Sequence, residues 1–140
     1  MEDKMRTVLL SMHPLRSSLV SHGFTTIDLR KTKPQLEPPF KCYVYQTMLK
    51  YGYWNEKDGK VVGEFVCDSI EKYDQLTDEL ARMVCMTQQE LLDYASPKGY
   101  LYGLHVSSFI EYKIPMLLHH FGIRHPPVSW QYLKAQPNDR

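Results

Sequence analysis

Cysteine is scarce in this 140-residue chain, and the three present, Cys42, Cys67 and Cys85, are odd in number and far apart. Such spacing shows neither a disulfide framework nor a Cys-x-x-Cys metal site. Cys42 and Cys67 fall in stretches of strand character, where a buried free thiol is the ordinary state, and this fits a reducing compartment. An excess of one charge is also missing: 17 Lys and Arg against 16 Asp and Glu leave a net +1. A domain that grips nucleic acid through bulk charge is usually strongly basic, so only a local basic groove is left for that role. No apolar run approaches the roughly 20 residues that span a bilayer. The opening Met-Glu-Asp-Lys-Met-Arg carries acids and lacks the apolar region of a signal peptide. The expectation is a cytoplasmic protein with no membrane segment. What is present is a globular balance, 43% hydrophobic and 24% charged, with ten tyrosines and two tryptophans. That suits a single domain over residues 1–140 with one core, residues 1–6 and 135–140 being flexible ends.

The stretch from Leu9 to Arg30 organises the chain. Thr7 to Met12 is β-branched and apolar and reads as a buried strand. Pro14 suits the first turn of a helix, where its missing N–H costs nothing. Leu15 and Leu19, one turn apart, give that helix an apolar stripe, and Gly23 is placed to end it in the left-handed conformation. The period then drops to two: Ile27 and Leu29 face one way, Thr26, Asp28 and Arg30 the other. Because the helix is short, the Ser11-Met12-His13 end of the first strand is expected near the Asp28/Arg30 face of the second. A hydroxyl, an imidazole, a carboxylate and a guanidinium would then share one cleft. The following loop, Lys31 to Pro39, holds three prolines and no periodicity. Lys31 and Lys33 are either solvated loop residues or a phosphate-contacting arm at that cleft.

Lys41 to Met48 reads as a central strand, followed by a hairpin with a long aromatic tip, Tyr51, Tyr53 and Trp54, before the Asp58-Gly59 turn. Val61 to Ile70 is the clearest strand. Gly63 within it marks a bulge, a bend or a close backbone approach. Glu64 either faces water or enters the cleft as a partner for Arg30 or a ligand. Two short helices follow, the first opened by Thr77-Asp78-Glu79 and the second by Thr87-Gln88-Gln89-Glu90, which has capping-box spacing. Gly99 to Tyr112 returns to strand, with His105 as a core histidine or an acid–base group. Ile114 to Phe121 reads as a helical turn ending at Gly122, and Val128 to Leu133 as a last strand. His119, His120 and His125 do not make a metal set, since adjacent histidines project to different sides and no carboxylate or thiolate is close in sequence. No metal or cofactor is expected.

The segments Leu-Leu-Ser-Met-His-Pro, Gly-Phe-Thr-Thr-Ile-Asp-Leu-Arg-Lys, Val-Tyr-Gln-Thr, Gly-Lys-Val-Val-Gly-Glu-Phe and Pro-Pro-Val-Ser-Trp-Gln-Tyr resemble the small bacterial and phage proteins of the ASCH group, in the PUA-like superfamily. The resemblance runs from Val8 to about Leu133. It implies an α+β fold, a small mixed β-barrel of five or six strands with flanking short helices and a cleft beside the first helix. It also implies recognition of RNA or a modified nucleoside or nucleotide. On that reading Arg30 with Lys31 or Lys33 meets phosphate or a base edge. Ser11, His13, Thr25 and Asp28 line the binding site, and Trp130 or Tyr45 stacks on a base. One branch of the group hydrolyses acetylcytidine with a lysine, a threonine and a glutamate. The matching positions here are Thr25, Asp28 and Val84, so that catalytic set is not matched. A hydrolase of a small modified nucleoside or amide, with Asp28, Glu64 or His105 as the acid–base group, is the first alternative. A protein-interaction subunit using the barrel surface and the aromatic tip is the second.

Overall fold

Alternating apolar residues build most of the architecture. The structure is a computed structural model and describes residues 6–48 and 55–134. In chain order its elements are β1 (Arg6–Met12), α1 (Pro14–Ser21), β2 (Ile27–Arg30), β3 (Phe40–Gln46), β4 (Lys60–Tyr73), α2 (Asp78–Met83), α3 (Gln88–Ala95), β5 (Leu101–Met116), a 3-10 turn (Leu118–Phe121) and β6 (Trp130–Lys134). The strands form one six-stranded sheet in the order β2-β5-β4-β3-β1-β6. β1 and β3 are parallel and every other pair is antiparallel. The ladder is open. β2 and β6 stand at opposite ends, so the backbone pairing does not close the barrel that the resemblance implied. Arg6, grouped above with the frayed end, starts β1 and pairs with Lys134. The aromatic tip Tyr51, Tyr53 and Trp54 lies outside the described residues.

Period-two alternation sends successive residues of one strand into different cores. Val8, Leu10 and Met12 of β1 join Cys42 and Val44 of β3, Phe65 and Cys67 of β4, and Val20 of α1. Leu9, Tyr43 and Tyr45 face the other way and pack with Phe121 and Leu133. A third cluster seats α2 and α3 on β2 and β5, through Leu80, Ala81, Val84, Leu91, Ala95, Ile27 and Leu101. Both helices begin on threonine caps. Thr77 accepts from the Leu80 N–H, and Thr87 and Glu90 complete a reciprocal capping box. The stripe expected on α1 is corrected: Leu15 is 72% exposed, and the helix buries Ser17 and Val20 instead. Pro14 at the first turn and Gly23, at φ +77°, fix where the helix begins and ends, and with that phase Leu15 points to solvent.

β4 and β5 are long, 14 and 16 residues, and stay paired only through register shifts, one of them between Val61 and Gly63. At Gly63 an added Cβ would lie 2.6 Å from the Ile110 carbonyl oxygen and 3.0 Å from the Phe109 ring. Glycine is there because another backbone passes too close for a side chain. Gly63→Ala is expected to destabilise the fold by about 1–3 kcal/mol, the usual cost of overpacking. A denaturant midpoint matching wild type would refute this account of the bulge.

The capping box makes stability depend on pH. Hydrogen bonds from the Thr87 backbone and side chain hold the Glu90 carboxyl below its ordinary pKa. Its contribution is therefore present above the unfolded carboxylate value and is lost as pH falls through the lower folded value. Wild type is expected to melt higher than Glu90→Ala at pH 7, with the gap narrowing in acid. A gap that stays constant between pH 7 and pH 3 would contradict this.

Candidate functional site

The two ends of the open sheet leave a gap, and the gap is a cavity of about 630 Å³. Ser11 and Met12 reach it from the end of β1, His13 and Arg16 from the start of α1, and Thr47 from just beyond β3. β2 runs along its edge and contributes from both faces: Asp28 and Arg30 from one, Ile27 and Leu29 from the other. Val84 and Met86 follow α2, Tyr94 comes from α3, and Val128 and Ser129 precede β6.

Arg30 holds the two sides of the gap together. Its Nε donates to Asp28 Oδ2 at 2.7 Å and its Nη2 to Asp28 Oδ1 at 3.3 Å. Nη2 also donates to the Ser11 carbonyl at 3.0 Å. Nη1 donates to the Ser129 carbonyl at 2.9 Å and to Ser129 Oγ at 3.2 Å. A guanidinium has five N–H donors, and these bonds engage all of them. The side chains of Arg30 and Asp28 are only 7% and 3% exposed. Burial works against the Arg30 charge, but the Asp28 carboxylate outweighs it by Coulomb attraction and hydrogen bonding, so the guanidinium pKa lies above its ordinary value. The Ser129 carbonyl also accepts from the Ser11 N–H at 2.9 Å, and Ser11 Oγ donates to the Pro127 carbonyl at 2.7 Å.

With Arg30 saturated, the other Arg and Lys side chains in the wall, among the described residues, are Arg16 and Lys31. Arg16 Nη1 donates to the Val84 carbonyl, tying α1 to the end of α2. The Lys31 ammonium sits 5.3 Å from the Tyr94 ring centre. Tyr94 itself donates to the Leu29 carbonyl at 3.3 Å, and burial pushes its phenol pKa up, with Arg30 pulling the other way. At the rim His13 Nδ1 and Thr47 Oγ1 are 3.3 Å apart.

Ser11, His13, Asp28 and Arg30 thus share one cavity, as the strand–helix–strand reading expected, and Lys31 of the following loop joins them; the other candidates sit elsewhere. Thr25 is buried outside the lining, where its hydroxyl bonds the Ile27 backbone. Tyr45 is in the core beneath Phe121, on the other face of the sheet from Cys42. Trp130 meets the site only indirectly, its indole N–H donating to Thr32 Oγ1 at 3.0 Å. Lys33 lies 5.9 Å from the ring centre of Tyr102. The acid–base candidates are dispersed. Glu64 pairs with Lys41 at 3.1 Å and accepts from Tyr112, not from Arg30. His105 faces Tyr73 and Glu71, each at 3.4 Å. Burial raises both core thiols, Cys67 to about 12, so neither is a thiolate at neutral pH. Among the described residues no three His, Cys, Asp or Glu side chains converge on a metal site.

Arg16, Thr47, Met86, Tyr94 and Ser129 were not singled out in the sequence. Arg16 follows His13 by three residues, the spacing of neighbours on a helix, and that signal was available. Tyr94 and Ser129 reach the cavity only through long-range packing.

Most of the chain aligns with solved structures. Zymomonas mobilis ASCH matches with a TM-score of 0.75 at 17% identity, over 94% of this chain and 89% of that one. The fold is the ASCH fold. A serine-to-alanine variant of the Zymomonas mobilis protein gives 0.76 at 16% identity, over 96% and 92% of the two chains. A tyrosine-to-phenylalanine variant gives 0.72 at 15%, over 91% and 90%. No protein-family model and no curated protein matches the sequence. At this identity the ASCH likeness carries the architecture, and the cavity must be read from its own residues. No helix among the described residues is long and apolar enough to cross a membrane.

Removing one partner of a buried ion pair strands the other charge, at a cost of about 3–5 kcal/mol. Asp28→Asn and Arg30→Met are therefore each expected to unfold at clearly lower denaturant than wild type. The double variant Asp28→Asn/Arg30→Met should lose less than the sum of the two, because no charge is left unpaired. Strict additivity in the double-mutant cycle would show that the pair is not coupled.

Proposed function

We propose that the protein is a recognition module whose cavity takes one nucleoside or nucleotide unit, free or as part of RNA. The observation that carries this reading is the division of labour around the gap. Arg30 and Asp28 are used in holding the walls, while Arg16 and Lys31 stand at a cavity of nucleotide-accommodating volume, within the range usual for small-ligand sites. The floor of Leu29, Val84, Met86 and Tyr94 offers apolar surface to a base. Thr47, His13 and the serines offer hydrogen bonds at its edge. Phosphate would be met by Arg16 and Lys31, in place of the Arg30 contact the sequence pointed to. The barrel reading belongs to the same proposal, with the Arg30 network standing where further strand pairing would close the sheet. The three free cysteines are consistent with a reducing, cytoplasmic setting.

A hydrolytic role like that of the acetylcytidine branch draws little support from this arrangement. Thr25 is not at the cavity, Val84 places an aliphatic side chain in its wall, and Asp28 is committed to Arg30.

A thermal-shift screen against nucleosides, nucleoside monophosphates and short RNAs tests the proposal. A ligand bound only by the native state stabilises by about 2.7 kcal/mol at 100 times its Kd. For a domain of this size that is expected to raise Tm by several degrees. The shift should fall in Arg16→Ala and Lys31→Ala and persist in Glu64→Gln, whose side chain is outside the cavity. Because Arg30 and Asp28 hold the fold, their variants are unsuitable as binding controls. No shift from any nucleoside, nucleotide or RNA at millimolar concentration would sink the reading.

A further inference from the structure

Lysine and tyrosine recur together on the surface that adjoins the cavity. The ladder pairs Arg30 of β2 with Tyr102 of β5, and Tyr102 with Lys72 of β4. Residues directly opposite in a ladder share a face, so Tyr102 and Lys72 continue the face that carries Arg30. Tyr100 lies two residues before Tyr102 and meets it edge-on, with ring centres 5.8 Å apart. Lys72 sits 4.3 Å from the Tyr100 ring centre and Lys98 6.0 Å from it. Lys33 covers Tyr102 from the proline-rich loop, and Lys31, two residues earlier, is already in the cavity wall.

From this we infer that Lys33, Tyr102, Tyr100, Lys72 and Lys98 form a track for single-stranded nucleic acid that leads away from the cavity. Both rings are half-buried and so held in place, while Lys72 and Lys98 are exposed. Successive bases stack on fixed aromatic rings and their phosphates meet the flanking cations, the combination used by sequence-tolerant single-strand binders. A lysine over a ring face gives up that position for a phosphate when a base takes its place. Asp74 competes for Lys72, at 3.5 Å, with the Asp74 and Lys72 side chains 66% and 47% exposed. So exposed a pair is weak and easily exchanged. The near-neutral net charge is no obstacle, because Lys33, Lys72 and Lys98 stand beside the rings themselves.

This inference rests on the nucleotide reading of the cavity and extends it from one unit to a strand. The test is fluorescence anisotropy of the whole chain with labelled oligouridylate and oligodeoxythymidylate octamers, alongside the four nucleoside monophosphates and an octaglutamate peptide. The octamers are expected to bind at least tenfold more tightly than any monophosphate. Tyr100→Ala/Tyr102→Ala should weaken octamer binding roughly tenfold or more, and Tyr100→Phe/Tyr102→Phe should preserve it. Lys72→Ala/Lys98→Ala removes only exposed charge. It should lower octamer affinity and reduce the log–log salt slope by about 0.7 for each phosphate that is no longer neutralised. Monophosphate binding should be unchanged in all of these. Octamer affinity unaffected by both the alanine tyrosine pair and the lysine pair overturns the track even if monophosphates bind. So does an octaglutamate that binds as tightly as the octamers, which would point to an acidic protein partner. Track-dependent octamer binding with no monophosphate binding supports the track and confines the cavity reading to a nucleotide held as part of a strand. A preference between the two octamers decides RNA against DNA, and either preference supports the track.

Discussion

The buried Arg30–Asp28 pair is the interaction on which the rest depends. β2 is four residues long and stands at one end of an open sheet, and β6 stands at the other. No ladder joins them. Arg30 joins them instead, gripping its own strand through Asp28 and reaching across to the carbonyls of Ser11 and Ser129. Lysine would not serve, having three donors on a point charge where the site needs a planar fork with five. Burying both charges costs heavily in desolvation, and such pairs contribute less to net stability than to fixing one arrangement. Here the arrangement fixed is the width of the gap.

That fixed width has a functional side. A cavity framed by strand ends and a saturated guanidinium is preorganised, so a ligand need not order its walls on binding. The same saturation withdraws Arg30 from ligand contact and passes the cationic role to Arg16 and Lys31. Arg16 is itself braced against the Val84 carbonyl, and Lys31 against the Tyr94 ring. Tyr94 closes the chain of dependence, because its hydroxyl bonds the Leu29 carbonyl on the outer edge of β2. α3, which carries Tyr94, starts at the Thr87–Glu90 capping box. A local capping motif is thus coupled through one tyrosine to the edge strand and the cavity.

What the sequence disclosed followed the range of the interactions involved. Local signals were legible: Pro14 and Gly23 bracketing α1, the capping box, and the Gly63 distortion of β4. So was the convergence of Ser11, His13, Asp28 and Arg30, since a short helix between two strands leaves few other arrangements. Leu15 misled because an apolar residue on a short helix says nothing of the helix's rotational phase. Tyr45 and Trp130 misled because aromatic character suits a core as well as a base, and only the third dimension separates the two. The partner of Glu64 was out of reach for the same reason: Lys41 meets it across the β3–β4 ladder, which pairs Lys41 with Val66 and Tyr43 with Glu64. That the sheet stays open was illegible because its two ends are bridged by one side chain's hydrogen bonds and not by any pattern of strands.

The shortness of β2 also shapes the surface beside the cavity. Lys31 to Pro39 carries three prolines in a stretch without regular pairing, so β2 ends at Arg30. Its partner β5 begins opposite that end, at Tyr102 and Leu101. Tyr100 therefore lies beyond the reach of β2, flanked by lysine stems and not by backbone. A longer β2 would have carried its ladder past the Arg30–Tyr102 pair toward Tyr100. The proline-rich loop instead turns back and sets Lys33 over Tyr102. One sequence feature, a strand cut short by proline, thus leaves open both the gap that Arg30 spans and the aromatic face next to it.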